Sequence, residues 1–350
     1  MKVSIGIGGP ASGRTRDFEQ QVTFVVEAEK LGVSDVWSAE AWGQDAIVPL
    51  AFLAARTTRI RLGTGIAQIS ARVPSMTAMT AMTMAALSND RFILGLGVSG
   101  PQVVEGLQGR PFKAPLTRMK ETVDIVRMAF RGEKIQYDGK YHVLPRPGGE
   151  GKALRLAQPP VESIPIYLAT LGPKALEYTG EVADGWLGTS FTPNQARAHL
   201  DFISQGAARA GRSLDEIDIQ AGGSVIFTDE PQQVIEQMKS GLAFTLGAMG
   251  SATTNFYNDA YKRAGWADAA SEVQRLWVEG KRDEATRLVP DDMVEQSNLI
   301  GDETRILERL KVYRDAGVTT LRVAPGGNSM ESQLETLGRT MDLIRSLDDT

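Results

Sequence analysis

The 350-residue chain has no cysteine and only two histidines. Without a thiol it has no disulfide framework, no cysteine nucleophile and no thiolate metal site. His142 lies in the polar stretch QYDGKYHVLP, and His199 sits inside NQARAHLDFI at helical spacing. They are badly placed for a metal cluster or a Ser-His-Asp constellation, so both read as structural and no metal is expected. The net charge is -5, with Lys and Arg spread along the chain, which leaves no basic field for nucleic acid. No apolar run approaches the roughly 18 residues that span a bilayer. The opening MKVSIGIGG enters an apolar strand without the charged and apolar regions of a secretory leader. Neither nucleic acid nor membrane is expected as a partner, and the expected location is cytoplasmic. A chain this poor in side-chain reagents is expected to delegate its hardest chemical step to a cofactor.

What is present reads as an α/β protein. Short β-rich runs alternate with longer segments of helical period, the pattern of βα units around a parallel sheet. Strands are predicted at residues 3–7, 34–38, 59–66, 91–97, 164–170, 184–189, 218–227 and 318–324. Helices are predicted from Asp17 to Leu31 and over residues 47–57, 75–87, 117–130, 173–182, 193–210, 304–316 and 331–346. Eight strands, each followed by a helix, is the number that closes a (β/α)8 TIM barrel, and residues 1–350 are read as one such domain. Two insertions interrupt it. Residues 132–163 are Gly- and Pro-rich and read as a hairpin around Asp138 and Gly139. Residues 230–300 are polar and helix-favouring, and they leave the C-terminal end of strand seven, the end where barrel active sites lie. They read either as a lid or as a packing element.

The candidate chemistry falls at strand C-termini. Trp37, Ser38, Glu40 and Trp42 close strand two, where Glu40 is either an acid or base tuned by apolar neighbours or a solvated loop carboxylate. Strand three ends LGTGIAQIS, and a Gly-Thr-Gly ending can bulge and re-aim backbone groups toward a ligand, although an ordinary strand end fits the same residues. Gly95, Gly97 and Gly100 spell G-x-G-x-x-G. However, the motif follows the fourth strand, Pro101 comes directly after it, and no acidic residue ends a strand about 20 residues later, so a dinucleotide fingerprint is disfavoured. These glycines instead let a planar group approach the backbone, with Ser99 offering a hydroxyl. Strand five ends in Ala169 and Thr170, followed by Leu171, Gly172, Pro173 and Lys174. Proline at the first helical position, a positive helix end and a lysine suit an anion, although an ordinary helix start fits the same residues.

Taken together, LGTGIAQISARVP, SNDRFILGLGVSGPQVVEGLQG and IPIYLATLGPKALEYTGEVADGWLGT resemble the bacterial luciferase-like superfamily across essentially the whole chain. Within it, GAMGSATTNFYNDAYKRAGW resembles the coenzyme F420-dependent branch. The resemblance implies a luciferase-like barrel that transfers a hydride between F420 (8-hydroxy-5-deazaflavin) and a small-molecule substrate, commonly as a homodimer. It implies a non-prolyl cis peptide at Gly65–Ile66, in a bulge entered from Thr64, that backs the cofactor ring. It also implies Glu40 near that ring, Gly97, Ser99 and Gly100 along the cofactor, and Ala169 and Thr170 through Lys174 around its phosphate. Ala41 and Pro101 stand where a sugar-phosphate dehydrogenase branch carries a His and a Glu, which counts against a sugar-alcohol substrate. Two other readings keep the fold: an FMN-dependent monooxygenase, and a non-catalytic flavin-binding protein. The apolar helices 47–57 and 75–87 are the candidate dimer surfaces.

Overall fold

The computed structural model describes residues 1–8, 18–251 and 253–348. Eight barrel strands run in chain order: β1 Lys2–Gly8, β2 Asp35–Ala39, β3 Arg61–Thr64, β4 Phe92–Gly97, β5 Ile166–Ala169, β6 Gly185–Leu187, β7 Asp218–Phe227 and β8 Thr320–Pro325. The helices that follow them are α1 Phe18–Leu31, α2 Ile47–Ala54, α3 Pro74–Ser88, α4 Pro115–Phe130, α5 Pro173–Val182, α6 Arg197–Arg209, α7 Glu303–Asp315 and α8 Met330–Asp348. This is the closed parallel barrel of a (β/α)8 fold. The predicted helix start at Asp17 falls outside the described residues.

The chain divides into two compact units. The smaller comprises Ile7–Arg16 and Asp35–Ala169, and the larger comprises Met1–Gly6, Asp17–Ser34 and Thr170–Thr350. In the smaller unit β2, β3, β4 and β5 pair in parallel, with Trp37 opposite Gly63, Gly63 opposite Ile93 and Gly97 opposite Ala169. All six residues of β4, FILGLG, are buried, as expected of a strand covered on both faces. The predicted strand 59–66 breaks at Gly65 and Ile66 and resumes as Ala67–Gln68 beside Leu96 and Gly97, which is the expected bulge. The Gly65–Ile66 peptide is cis.

In the larger unit β7 pairs in parallel with β6 and with β8, and β8 pairs with β1. A three-residue strand, Leu299–Gly301, adds to the far edge of β7. It was not anticipated, because three residues are too few to show an alternation and the run lies inside a helix-favouring stretch. The insertion after β7 forms helices at Pro231–Ala248, Phe256–Tyr261, Ala267–Val278, Arg282–Arg287 and Asp291–Gln296. They surround their own apolar core of Ile235, Leu246, Tyr261, Val273, Leu276 and Met293. Burial of such side chains contributes about 1.5–3 kcal/mol each. Buried Asn258 donates from Nδ2 to Leu246 O at 3.0 Å and to Ala270 O at 2.7 Å, tying three of these helices together.

The hairpin in 132–163 pairs Tyr137–Asp138 with Val143–Leu144. An isolated pair this short is not stable by itself. Its anchor is Glu121 of α4, a buried carboxylate that accepts the backbone N–H of Lys140, Tyr141 and His142. His142 Nδ1 lies 3.0 Å from the same carboxylate, which accounts for that histidine. Burial pushes the Glu121 carboxyl upward, but the Lys140 N–H, the His142 ring and the other two N–H groups outweigh it and hold it below the ordinary carboxylate value of 4.5. Stability from this anchor is therefore present above that value and is lost as the pH falls through the lowered one. Glu121→Gln is expected to cost about 1–3 kcal/mol at neutral pH. Urea unfolding from pH 7 to pH 3 checks it, since the difference from the parent should shrink toward the acid end.

Candidate active site

In the smaller unit the site is built from the ends of β2, β3 and β4. Buried Thr64 spends its hydroxyl on strand four, donating to Gly95 O at 2.8 Å and accepting Gly95 N–H at 2.9 Å. These two bonds fix the bulge against strand four. Gly65 N–H donates to Ser38 O at 2.8 Å. A Cβ on Gly97 would lie 2.6 Å from Ile66 Cγ1, so Ile66 fills the space that this glycine leaves. Gly65 and Ile66 stay partly exposed. Ser99, also partly exposed, is held at a φ of 59°, and Gly100 caps a short helix at Pro101–Val104.

Glu40 sits among polar groups, not the apolar neighbours that the first of its two readings supposed. Arg72 grips it bidentately, with Nη1 2.8 Å from Oε1 and Nη2 2.7 Å from Oε2. Gln68 N–H donates to Oε1 at 3.2 Å, and Gln68 Nε2 donates to Glu40 O at 2.9 Å. Arg72 also reaches Asp45 Oδ2 at 2.8 Å, while Asp45 Oδ1 accepts the N–H of Ile47 and of Val48, both at 2.7 Å, at the start of α2. Hydrogen bonding to Glu40 outweighs burial and raises the guanidinium above its ordinary value. An open pocket of about 410 Å³ is lined by Glu40, Trp42, Gln68, Arg72 and Gln108, a size within the range of small-ligand sites. Gln68, Arg72 and Gln108 were missed in the sequence. The available signal was an arginine four residues beyond a strand-end glutamine, inside LGTGIAQISARVP.

In the larger unit Thr170 is pinned on both sides. Its hydroxyl shares a 2.7 Å hydrogen bond with that of Thr179 in α5, and its carbonyl accepts the indole N–H of Trp186 at 3.0 Å. Leu171 O accepts from Arg263 Nη2, a cation supplied by the helical insertion. Gly172 is the N-cap of α5, Pro173 is its first residue, no side chain caps it, and Lys174 is exposed in its first turn. Arg263 Nε is buried and without a partner among the described residues. These features fit an anion at this helix end. Ala169, the last residue of β5, belongs to the smaller unit.

The profile of the luciferase-like monooxygenase family matches residues 2–320. The chain belongs to that family. Across 327 residues, 91% of this chain and 94% of the relative, the family member is 39% identical to Rv3520c of Mycobacterium tuberculosis, which carries the name of a coenzyme F420-dependent oxidoreductase. Over 328 residues, 89% of this chain and 90% of the relative, it is 29% identical to the 5,10-methylenetetrahydromethanopterin reductase of Methanopyrus kandleri. The solved structure of the coenzyme F420-dependent tetrahydromethanopterin reductase from that organism superposes with a TM-score of 0.77 at 25% identity, covering 96% of this chain and 97% of the other. An F420-dependent secondary alcohol dehydrogenase shares the fold, with a TM-score of 0.75 at 16% identity, covering 99% and 100%.

In this luciferase-like chain His199 packs against Trp186, whose indole holds the Thr170 carbonyl. Its ring lies 5.5 Å from that of Trp186 and 5.8 Å from that of Phe191, and neither ring nitrogen has a partner among the described residues. Burial, assisted by the charge of Arg263, lowers its pKa from 6.5 to about 3. The unfolded chain therefore binds a proton below pH 6.5 that the folded chain refuses, and stability falls with falling pH by roughly 1.4 kcal/mol per unit in that window. His199→Phe should remove this slope and leave neutral-pH stability equal or higher. Denaturant midpoints from pH 7 to pH 4 measure it, and an unchanged slope would rule the histidine out as its source.

Proposed function

We propose that this protein is an oxidoreductase that uses coenzyme F420 to pass a hydride to or from a small organic substrate. The observation that carries the reading is the strand-three bulge. It presents Gly65 and Ile66, partly exposed and backed by Gly97, beside the Glu40–Arg72 pocket. Relatives that match along nearly the whole chain bear F420 names, which supports the same cofactor here. When bound, a deazaflavin supplies two-electron chemistry, giving or accepting a hydride at its C5 position.

The chain's own residues would hold and orient that group. Gly65 and Ile66 offer a fixed backbone surface to the ring, and Ser99 and Gly100 run beside it. The helix end at Gly172 and Pro173, with Lys174 and Arg263, suits its phosphate. Arg72 fixes the Glu40 carboxylate through two contacts, so Glu40 is positioned as an acceptor, the base of the site. Residues 230–300 serve as the lid, linked to the loop after β5 through Arg263. The dimer contact lies on α2 and α3, where Val48, Phe52, Met76 and Leu87 remain exposed. Phe52→Asp should then convert a dimer into a monomer by light scattering.

Fluorescence titration with F420 and with FMN tests the cofactor. F420 should bind at least about tenfold more tightly, a difference of roughly 1.4 kcal/mol. Gly97→Val, which displaces Ile66, should weaken it by a similar factor. Preference for FMN would overturn the assignment in favour of an oxygen-using monooxygenase.

A further inference from the structure

Among the described residues, one guanidinium in the larger unit has no counter-charge. Arg322 is the single charged residue of β8, TLRVAP. Its cross-strand partners are Ser4 on β1 and Gly222 on β7, so these three share a face. Along that face the residues nearer the strand N-termini are closed over. Gln220 and Thr320 there are fully buried, as is Ser4 level with Arg322, and Ser4 Oγ donates to Gln220 Oε1 at 3.0 Å. Beyond that level the face opens: Gly6 and Ala324 are exposed and Ser224 is partly so, as is Gly222 beside Arg322. Every residue at this opening is small. Arg322 therefore stands where this face begins to open, partly buried and reached by solvent.

The bonds that Arg322 makes do not account for its charge. Its one described hydrogen bond runs from Nη1 to Gly188 O, at 3.3 Å. A guanidinium carries five donors. Among the described residues no carboxylate comes within ion-pair reach of it. The acid on the same face, Asp218, is already engaged by the hydroxyls of Thr319 and Thr320 and by Gln220 Nε2. Burial alone pushes the Arg322 guanidinium below its ordinary value, with nothing to offset it. A charge held this way costs stability unless something pairs with it. The backbone is also shaped for it, since a Cβ on Gly222 would lie 2.1 Å from Arg322 O, so only glycine lets β7 come this close.

We propose that Arg322 is the anion-recognising residue of the substrate site, and that the substrate carries a carboxylate or a phosphate which the guanidinium receives where the shared face of β1, β7 and β8 opens. The proposal rests on the oxidoreductase reading only in naming the anion's bearer a substrate; the anion site itself is read without cofactor. A planar guanidinium matches either group through paired N–H donors.

The test uses the full-length chain and the variants Arg322→Met and Arg322→Lys. Thermal shift and calorimetry at constant ionic strength, without cofactor, are run with inorganic phosphate, with succinate and with uncharged succinamide. Phosphate or succinate should stabilise the parent chain and succinamide should not. Whichever anion binds identifies the substrate's group. Arg322→Met should lose at least tenfold in anion affinity, Arg322→Lys should lose less, and F420 fluorescence quenching should change less than twofold in both. Arg322→Met should also unfold at a higher urea concentration than the parent, because it removes an uncompensated charge. That result would not follow if the arginine were structural. Anion binding unchanged in Arg322→Met overturns the proposal, as does a tenfold loss of F420 affinity, which would assign the arginine to the cofactor. Failure of the parent chain to bind F420, with anion binding intact, removes the oxidoreductase reading and leaves the site standing.

Discussion

The candidate site depends on the wedging of strand three between an indole and a glycine. The Trp37 ring occupies the space above Gly63, where a Cβ would lie 2.2 Å from the ring, and a Cβ on Gly65 would lie 3.0 Å from Trp37 Cβ. On the other side Ile66 fills the gap beside Gly97. Trp37 is itself buried, 5.5 Å from the ring of Tyr167, and cannot yield without opening the core. The chain leaving β3 consequently has little choice of path. It delivers Gln68 and then Arg72 opposite Glu40, where hydrogen bonds complete what packing began. A site placed by packed backbone and side chains holds its geometry better than one placed on a loop.

The larger unit meets a comparable need with polar contacts. The loop after β5 is held through its carbonyls, Thr170 by an indole N–H and Leu171 by Arg263. Trp186 is in turn boxed in by Phe191 and His199. The helical insertion, packed around its own core, meets this loop through the Arg263 side chain. A segment with a core of its own opens and closes on its own terms more readily than one that shares the main core.

Most of the fold was legible because its signals are periodic. The ends of α5 and the span of β7 were read correctly, since Gly172-Pro173 marks a helix start and DIQAGGSVIF is too β-rich to be helix. The bulge at Gly65–Ile66 was legible from Gly-Thr-Gly. The resemblance added the cis peptide. Three-dimensional pairings were not legible. Nothing local says that Arg72 closes on Glu40, 32 residues away, or that Arg263 reaches back 92 residues to Leu171. Thr64 and Gly97 stand where the strand ends were expected to matter, and the structure adds that the Thr64 hydroxyl bonds strand four while Ile66 fills the space beside Gly97.

Arg72 and Arg322 are both arginines set into the ends or faces of barrel strands, and the chain treats them in opposite ways. Arg72 meets two carboxylates, so its immediate surroundings are already more than neutralised and its role is to hold Glu40 still. Arg322 meets one backbone carbonyl, although the chain carries 43 acidic residues and a net charge of -5 from which a partner could have been drawn. In a protein this rich in acids, a deep guanidinium without one cannot be put down to a shortage of partners. It also cannot be there for stability, because an apolar side chain of the same length would pack with less cost. What remains is a group kept unpaired so that its pairing can be completed from outside, where the face it shares with Ser4 and Gly222 opens to solvent.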